Sequence, residues 1–362
     1  MFIKSLALNN YRNYDNSTID FSKGINILYG DNAQGKTNIL EAIYMLATTK
    51  SHRGNKDSEI IRFEEEESHI RAEIDKNNVV HRIDIHLKKK KSKGIAIDML
   101  PIRKSADLFG LINIIFFSPE DLSIIKDSPQ VRRRFMDMEL CQLNNIYYSD
   151  LSNYNKVLNQ RNSLLKQIYF DKSKIDMLDI WDMQLVNYGI KIIEARNNFI
   201  NMLNEIITEI HHKLTSGKED ILLEYDYNVD STNFEQELFV KREFDLKNQN
   251  TQIGPHRDDI SFYVNGMDVK KYGSQGQQRT VALSLKLAEI ELVKKLIKDN
   301  PILLLDDVMS ELDSNRRDAL LNSIEGIQTI ITCTGYDDFI RKRINIDMIY
   351  KVTNGKVEKM IC

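Results

Sequence analysis

The segment "GDNAQGKT", residues 30–37, decides the fold of this chain. It fits the phosphate-binding pattern G-x-x-x-x-G-K-[ST]. The apolar run "INILY" precedes it, and the helical pattern "KTNILEAIYMLA" begins at its last two residues. A buried strand, a glycine-rich loop and a helix are the context in which this pattern holds a nucleotide. The sequence therefore predicts an α/β domain that binds a nucleotide.

The glycines, the lysine and the threonine of the loop each have a chemical role in binding a nucleotide. Backbone N–H groups that no side chain obstructs can surround phosphate oxygens at the N-terminus of a helix. The lysine would extend through a solvated pocket to the β- and γ-phosphates, and the threonine hydroxyl would ligate Mg²⁺. We expect ATP and Mg²⁺ as cofactors. The predicted phosphate-binding residues are Gly30, Asp31, Asn32, Ala33, Gln34, Gly35, Lys36 and Thr37.

A second motif supplies the carboxylates that such a loop requires. In "ILLLDD", four aliphatic residues precede Asp306 and Asp307. Asp306 is expected to hold Mg²⁺ together with Thr37, and Asp307 to polarise an attacking water. In isolation the segment would be read as a strand that ends in an acidic loop. Its pairing with the phosphate loop favours a catalytic site in which Lys36 and Asp307 act on the nucleotide.

A third motif, "GSQGQQRT", opens a long predicted helix at residues 273–280. Its hydroxyl, its flexible backbone and the helix dipole form another anion site. We predict that Ser274, Gly276 and Gln277 contact the same γ-phosphate from a second subunit, because one head already has its own phosphate loop. The segment "SELD", residues 310–313, could join the two subunits.

Composition limits the function classes. The chain has 362 residues, a net charge of -3 and three widely spaced cysteines, with no metal or disulfide spacing. We see no signal peptide and no membrane span, so we expect a cytoplasmic protein. DNA contact would depend on local basic segments such as "KKKKSK" at 88–93 and "RRR" at 132–134. Such runs are more often solvated surfaces, and "EEEE" at 64–67 could neutralise the lysines.

The periodicity of the sequence places a helical insert between two α/β segments. The first strand is expected at a sheet edge, and alternating patterns follow from residue 58 to 98. A heptad-like seam then favours a hairpin of two long helices, or an ordinary helical subdomain. The predicted ATPase head is formed by residues 1–128 and 219–362, and the helical arm by 129–218. For "GPHRDD", residues 254–259, a catalytic His256 and a polar contact between lobes both remain open.

The order of these motifs resembles that of ATP-binding-cassette heads, and several longer stretches resemble the RecF family of DNA replication and repair ATPases. This family is related to the heads of chromosome-structural-maintenance proteins. The matching stretches run from residue 7 to past residue 313: "LNNYRNY", "GDNAQGKTNILEAIY", "KSHRG", "FFSPEDLSIIKDSPQVRRRFMD", "IGPHRDD", "GSQGQQRTVALSLKLAE" and "ILLLDDVMSELD". The resemblance implies an ATP-binding-cassette fold, with a mixed sheet around the phosphate loop, an antiparallel β-subdomain and an inserted helical lobe.

The resemblance also implies a function. The protein would be a slow ATPase in which ATP drives head-to-head homodimerisation on single-stranded or gapped DNA, without base specificity. It would act with the recombination mediators RecR and RecO. Arg12 matches the family's early basic residue beside the phosphates, and a solvated turn arginine is the alternative.

Three departures from cassette ATPases make fast hydrolysis doubtful. The acidic pair is Asp-Asp rather than Asp-Glu, the switch position reads "TCTG", and the glutamine-loop region reads "FFSPEDL". Thr332 or Thr334 would have to replace the switch histidine. A transporter ATPase subunit and a structural chromosome tether are the competing interpretations. The first would need a switch histidine and a glutamine loop, and the second hundreds of coiled-coil residues.

Overall fold

The computed structural model describes residues 1–54, 56–335 and 346–360. Residues up to 121 form these elements: β1 Phe2–Tyr11, β2 Tyr14–Asp20, β3 Ile25–Tyr29, α1 Lys36–Thr48, α2 Asp57–Ile60, β4 Glu67–Lys76, β5 Val79–Lys88, β6 Lys91–Ile97, β7 Leu100–Pro101 and β8 Ile114–Phe117. The middle of the chain forms α3 Leu122–Lys126, α4 Pro129–Leu143, α5 Asn145–Phe170, α6 Leu178–Thr215, β9 Ile221–Asp226, α7 Phe234–Val240, α8 Arg242–Asn248, β10 Asp259–Val264, β11 Met267–Asp268, α9 Val269–Tyr272 and α10 Gln275–Ile297. The last part forms β12 Ile302–Asp306, α11 Ser314–Ser323, β13 Thr329–Cys333, β14 Ile346–Thr353 and β15 Lys356–Lys359.

The chain divides into two units at positions that differ from those expected. The first unit contains Met1–Asp121 and Lys286–Cys362, and the second contains Leu122–Leu285. Residues 219–285, which we expected in the ATPase head, lie in the unit of the helical arm because β9 packs on α6. Asn204 of α6 exchanges two hydrogen bonds with the backbone of Leu223, at 2.8 and 2.9 Å.

The mostly parallel sheet of the first unit has the order β15-β14-β3-β13-β12-β8, in which β15 pairs with β14 in antiparallel orientation. Strand β3 pairs in parallel with β13 and β14, and β12 pairs in parallel with β13 and β8. The near-continuous apolar run of β12 fits a strand that is buried on both faces. Because β3, β12 and β13 run parallel, their carboxyl ends lie at one edge of the sheet, where the phosphate loop begins and Asp306 lies.

The second sheet of this unit is antiparallel, with the order β2-β1-β4-β5-β6-β7. The prediction that the first strand is an edge strand is wrong, because β1 pairs with both β2 and β4. The lysine run 88–93 spans the turn between β5 and β6. Lys88 and Lys89 form ion pairs with Glu67 and Glu66, at 2.9 and 3.7 Å, so the glutamate run does neutralise part of it.

Two long helices, α5 and α6, form the arm of the second unit. Tyr147 contacts Arg196 near one end of the pair and Arg161 contacts Asp182 near the other, so the two helices are antiparallel. The predicted helical hairpin is thus present, and a short 3-10 helix, Lys172–Met177, connects its two helices. The seam along α6 departs from a strict heptad, because Ile207 and His211 are buried, whereas Ile206 and Ile210, where the heptad would continue, are only partly buried.

The arginine that interrupts the seam of α5 is fully buried. Arg161 donates to Asp182 at 2.5 Å, to Asp245 at 2.7 Å and to the Thr251 hydroxyl at 2.8 Å. Arg242 of α8 also donates to Asp182, at 2.6 Å. A buried charge of this kind is tolerated only where partners compensate its desolvation. The network therefore fixes α8 and its following loop against the two arm helices.

The "GPHRDD" segment ties several elements of the second unit together. Asp258 is fully buried and accepts hydrogen bonds from the Tyr225 hydroxyl and from Arg196. Asp259 accepts two hydrogen bonds from Arg132 of α4, at 2.5 and 2.8 Å. Arg132 is therefore a buried structural residue, and the "RRR" run is not a uniformly solvated basic patch.

His256 belongs to the same network. Its Nε2 lies 3.1 Å from the Thr251 carbonyl oxygen and its Nδ1 lies 2.7 Å from the Tyr154 hydroxyl. A carbonyl oxygen can only accept, so Nε2 carries the proton and Nδ1 accepts from the tyrosine. Both ring nitrogens are thus engaged by the fold, which favours the structural interpretation of this residue over a catalytic one.

Candidate nucleotide-binding site

The glycine-rich loop connects β3 to α1 and holds its lysine inside the fold. Lys36 Nζ donates to the carbonyl oxygens of Gly30 and Asp31, at 2.7 and 2.9 Å. The residue is 4% exposed, so the expectation of a solvated lysine pocket is wrong. Its ammonium group is thus held against the first two residues of the loop.

The two outer glycines of the loop are required by its conformation and its packing. Gly30 has φ +153° and Gly35 has φ +112°, both values that residues with a Cβ rarely adopt. A Cβ at Gly30 would lie 2.3 Å from the carbonyl oxygen of Val352, and one at Gly35 would lie 2.8 Å from the Tyr14 hydroxyl. Ala33 also has positive φ, at 64°. Such a loop turns successive N–H groups toward one concavity.

The predicted metal ligands come together at the edge of the parallel sheet. The Thr37 hydroxyl donates to Asp306 Oδ1 at 3.0 Å, although the two residues are 269 positions apart in the chain. Thr332, directly beside Asp306 in the register of β12 and β13, donates to the same oxygen at 2.7 Å. A hydroxyl and a carboxylate beside a phosphate loop are the oxygen donors that Mg²⁺ prefers, so these residues fit ATP with Mg²⁺.

Asp307 occupies a different position from Asp306. Its backbone is left-handed, with φ 53° and ψ 17°, and its N–H donates to the Thr332 hydroxyl at 3.0 Å. Burial raises the pKa of the Asp307 carboxyl; the nearby Lys36 ammonium lowers it, and Asp306 raises it further. A raised pKa makes a carboxylate a better proton acceptor. Thr332, one of the two candidates to replace the switch histidine, therefore contacts the carboxylate of Asp306 and the backbone of Asp307.

Two turns outside the phosphate-binding motif support the loop. Asn13, in the β1–β2 turn, donates to the Gln34 carbonyl oxygen at 2.8 Å. Tyr14 donates to the Gly35 carbonyl oxygen at 3.0 Å. In the β14–β15 turn, Asn354 N–H donates to Gln34 Oε1 at 2.6 Å. The stretch "LNNYRNY" gave a signal for the first turn, but no local pattern connected the second turn with the loop.

Arg12 is neither solvated nor pointed freely at the loop. Its guanidinium donates to both carboxylate oxygens of Glu41, at 2.8 and 2.7 Å, and to the Glu59 carbonyl oxygen at 3.0 Å. Burial alone would raise the pKa of Glu41, but hydrogen bonds from Arg12 and Ser51 outweigh it and hold the pKa below its usual value. Arg12 thus connects α1, through Glu41, to the backbone of Glu59. A contact between Arg12 and phosphate stays a prediction.

The third motif lies at the N-terminus of α10, in the second unit. The Ser274 hydroxyl accepts from Gln277 N–H at 3.2 Å, and Ser274 N–H donates to Gln277 Oε1 at 2.9 Å. This reciprocal pair is a capping box. Gln277 Nε2 also donates to Glu219 at 3.0 Å. A Cβ at Gly276 would meet nothing closer than the Ser274 hydroxyl, 3.8 Å away, so packing does not require this glycine.

The predicted residues thus form two groups. Lys36, Thr37, Asp306 and Asp307 converge in the first unit, whereas Ser274, Gly276 and Gln277 converge in the second. In "SELD", Asp313 caps α11 by accepting from Arg316 N–H at 3.0 Å. Its contact with a second subunit stays a prediction.

Comparisons with known proteins place this arrangement in a family. A model of the RecF/RecN/SMC N terminal domain matches residues 2–358. The chain is 60% identical to the DNA replication and repair protein RecF of Lachnoclostridium phytofermentans, over 99% of this chain and 100% of the relative. The chain belongs to the RecF family. It is also 59% identical to the RecF protein of Lachnospira eligens, over 99% of each chain.

Solved structures agree with this membership. A structure described as the recombination mediator protein RecF-ATP in the RecFOR pathway matches with a TM-score of 0.93 and 36% identity, over 99% of this chain and 98% of the other. An SMC head domain from Pyrococcus furiosus matches with a TM-score of 0.57 at 17% identity, over 99% and 96% of the two chains, and shows the fold alone. The predicted RecF-family resemblance and the α/β fold class are both confirmed. In the described part of this RecF-family chain, no helix is long and apolar enough to span a bilayer.

Proposed function

We propose that the protein is an ATP-binding switch that acts in DNA replication and repair. The observation that carries the proposal is the 3.0 Å contact between the Thr37 hydroxyl and Asp306 at the carboxyl edge of the parallel sheet, next to the phosphate loop. Relatives named as DNA replication and repair proteins and a neighbour described as an ATP complex support it. Chromosomal DNA as the target would place the protein in the bacterial cytoplasm.

Different residues of the first unit would bind the phosphates, hold the metal ion and accept a proton. Lys36 would exchange its two carbonyl contacts for phosphate oxygens, which are better partners for an ammonium group than neutral carbonyls. Thr37 and Asp306 would hold Mg²⁺, which would neutralise part of the phosphate charge. Asp307 would accept a proton from the attacking water. Its carboxylate is one methylene shorter than a glutamate, so slow turnover is expected.

The second unit would supply the switch. The capped N-terminus of α10 offers N–H groups and the positive end of a helix dipole, which favour a γ-phosphate. If a partner subunit supplies this end, ATP would drive a head-to-head homodimer, and hydrolysis would release it. We further propose that the dimer binds single-stranded or gapped DNA without base specificity and acts with RecR and RecO, as the family resemblance implies.

The nucleotide assignment is tested with Lys36→Met. This change removes the ammonium group of the loop, so ATP binding measured by calorimetry should weaken strongly while the circular dichroism spectrum is kept. Lys23→Met, an equal change at a surface lysine that lies over the ring of Phe2, is the matched control. Equal ATP affinity in all three proteins would refute the proposal.

The switch itself is tested by sedimentation. Wild-type protein should shift from monomer to dimer with ATP but not with ADP, and gapped duplex should sediment with the dimer. A sedimentation coefficient that ignores nucleotide would argue against the ATP-driven dimer while leaving ATP binding intact.

A further inference from the structure

A cluster of ligand-type side chains lies on the antiparallel sheet of the first unit. His69 of β4 and His86 of β5 stand directly opposite each other, with ring centroids 3.9 Å apart and planes 21° from parallel. Glu67 lies two residues before His69, and its Oε2 is 2.6 Å from His86 Nε2. One potential ligand atom from each of the three residues lies within 4.8 Å of the other two.

The backbone register, not a flexible loop, creates this cluster. Directly opposite residues of an antiparallel pair have Cβ atoms roughly 5 Å apart, and residues two positions along the strand share the same face. His69 and Glu67 are exposed, so an ion can reach them from solvent. Gly94 is the neighbour of His86 on β6, and a Cβ there would meet only the Cβ of His86, at 4.0 Å. The far side of His86 is therefore uncrowded.

We propose that Glu67, His69 and His86 form a binding site for a divalent transition-metal ion of the Zn²⁺ class. Two imidazoles and a carboxylate are a ligand set that Zn²⁺ accepts while a fourth position stays open to water. Ligand atoms around tetrahedral Zn²⁺ are separated by roughly 3.3 Å, a spacing that rotations of the exposed Glu67 and His69 side chains toward His86 would give. Hard cations such as Mg²⁺ prefer oxygen ligands, so they should not occupy it.

One neighbouring residue bears on the affinity. Lys88 opposes binding, since its Nζ lies 2.9 Å from Glu67 Oε1 and would repel a cation. Removing this lysine should therefore strengthen the site.

The test is a calorimetric titration of untagged protein with ZnCl₂ and, separately, MgCl₂. Wild type should bind one Zn²⁺ at this site. His69→Ala and His86→Ala should each weaken binding about tenfold or more, because even an outer-shell loss in a metal site costs about that much. Lys88→Ala should tighten it. His81→Ala is the matched control, since His81 pairs with Asp98 on the same sheet and faces Ile74 across the strands.

Each outcome decides the question. Loss of one Zn²⁺ site in both histidine variants, with His81→Ala unchanged, supports the proposal. Absence of Zn²⁺ binding by wild type overturns it. Equal binding by wild type and the His69→Ala/His86→Ala double variant also overturns it, because the ion would then be bound elsewhere, for example at a cysteine.

Discussion

Asp306 and Asp307 are adjacent in the chain but oriented differently. Asp306 ends β12 and accepts from two hydroxyls, whereas Asp307 adopts a left-handed backbone and has a raised pKa. We expect Asp306→Asn to reduce Mg²⁺-dependent ATP binding, because one charge-bearing ligand is removed. Asp307→Asn should keep ATP binding and prolong the ATP-bound dimer, because only the proton acceptor is lost.

These two variants are measured by ATP calorimetry with and without Mg²⁺ and by the lifetime of the dimer after ATP is removed. The isosteric Asn substitution keeps the backbone hydrogen bonds, so a loss of fold is not expected. If both variants bind ATP and dissociate as wild type does, the division of labour between the two carboxylates is wrong.

His256 gives the second unit a dependence on pH. Burial lowers the pKa of this histidine to about 4; the Thr251 carbonyl opposes the shift, and the charges of Arg257, Arg133 and Arg196 lower the pKa further. The pKa of a histidine in the unfolded chain is about 6.5. At pH values between about 4 and 6.5, the unfolded state therefore binds more protons than the folded state does. The stability contributed by neutral His256 is thus complete above about pH 6.5 and is lost as the pH falls toward the folded value. Between pH 7 and pH 5 the free energy of unfolding should fall by about 2 kcal/mol from this group alone.

Urea unfolding at the two pH values measures this loss, with Trp181 fluorescence as the probe, since Trp181 is the only tryptophan and lies in the second unit. His256→Gln keeps a donor and an acceptor but does not titrate, so its unfolding free energy should fall less on acidification. An identical pH dependence in the two proteins would show that His256 is not buried in its neutral form.

Among the helices and strands, those that depend on contacts between residues close in the chain were predicted from the sequence pattern. The strand, loop and helix around Lys36 follow from residues that are neighbours in the chain. The position of β1 inside its sheet did not follow, because β4, its second partner, lies about sixty residues further along the chain.

The contacts at the site that the sequence did not predict also join residues far apart in the chain. The lysine, the threonine and the two aspartates were predicted because their motifs have fixed spacings. The contact of Asn354 with Gln34 joins residues 320 positions apart, and no pattern in one sequence reports such a pair. The grouping of residues 219–285 with the arm likewise depends on how β9 packs on α6, which periodicity alone does not encode.

The arm helices provide a prediction about a buried charge. Arg161 filled the one gap in the apolar seam of α5, and the structure gives it two buried carboxylate partners, Asp182 and Asp245. Arg161→Met should cost about 3–5 kcal/mol, because the fully buried Asp245 would lose its compensating charge, whereas Asp182 keeps Arg242. Lys213→Ala, which breaks the exposed Lys213–Glu209 pair on α6, should cost less than about 0.5 kcal/mol.

Trp181 again reports the effect, since it packs on the apolar cluster that includes Leu165 and Leu178 in the same arm. Urea unfolding followed by its fluorescence should show a lower midpoint for Arg161→Met and an unchanged midpoint for Lys213→Ala. A midpoint for Arg161→Met equal to that of wild type would mean that the carboxylates become hydrated or protonated without a loss of stability.

At the scale of the whole molecule, the phosphate loop and the capped end of α10 lie in different units of the chain. Each offers a helix N-terminus with anion-binding N–H groups, and packing leaves open space beside Gly276. An uncrowded glycine next to such a helix end suits the close approach of a group from another molecule. We therefore expect the end of α10 to meet the nucleotide of a second subunit.

Ser274→Arg tests this composite site. Loss of the cap should cost only about 1 kcal/mol, so the fold and ATP binding by the monomer should survive. The bulky side chain should abolish the ATP-induced dimer, because ATP stabilises the dimer only through contacts that ADP cannot make. It should also abolish ATP-stimulated DNA binding, since a dimer contacts roughly twice as many DNA phosphates as a monomer and its affinity depends more steeply on salt.

Light scattering and DNA anisotropy at two salt concentrations measure both effects, with Ser173→Arg at an exposed arm position as the control. A Ser274→Arg protein that still dimerises with ATP would contradict the composite site, and a wild type whose DNA affinity ignores nucleotide would contradict the switch.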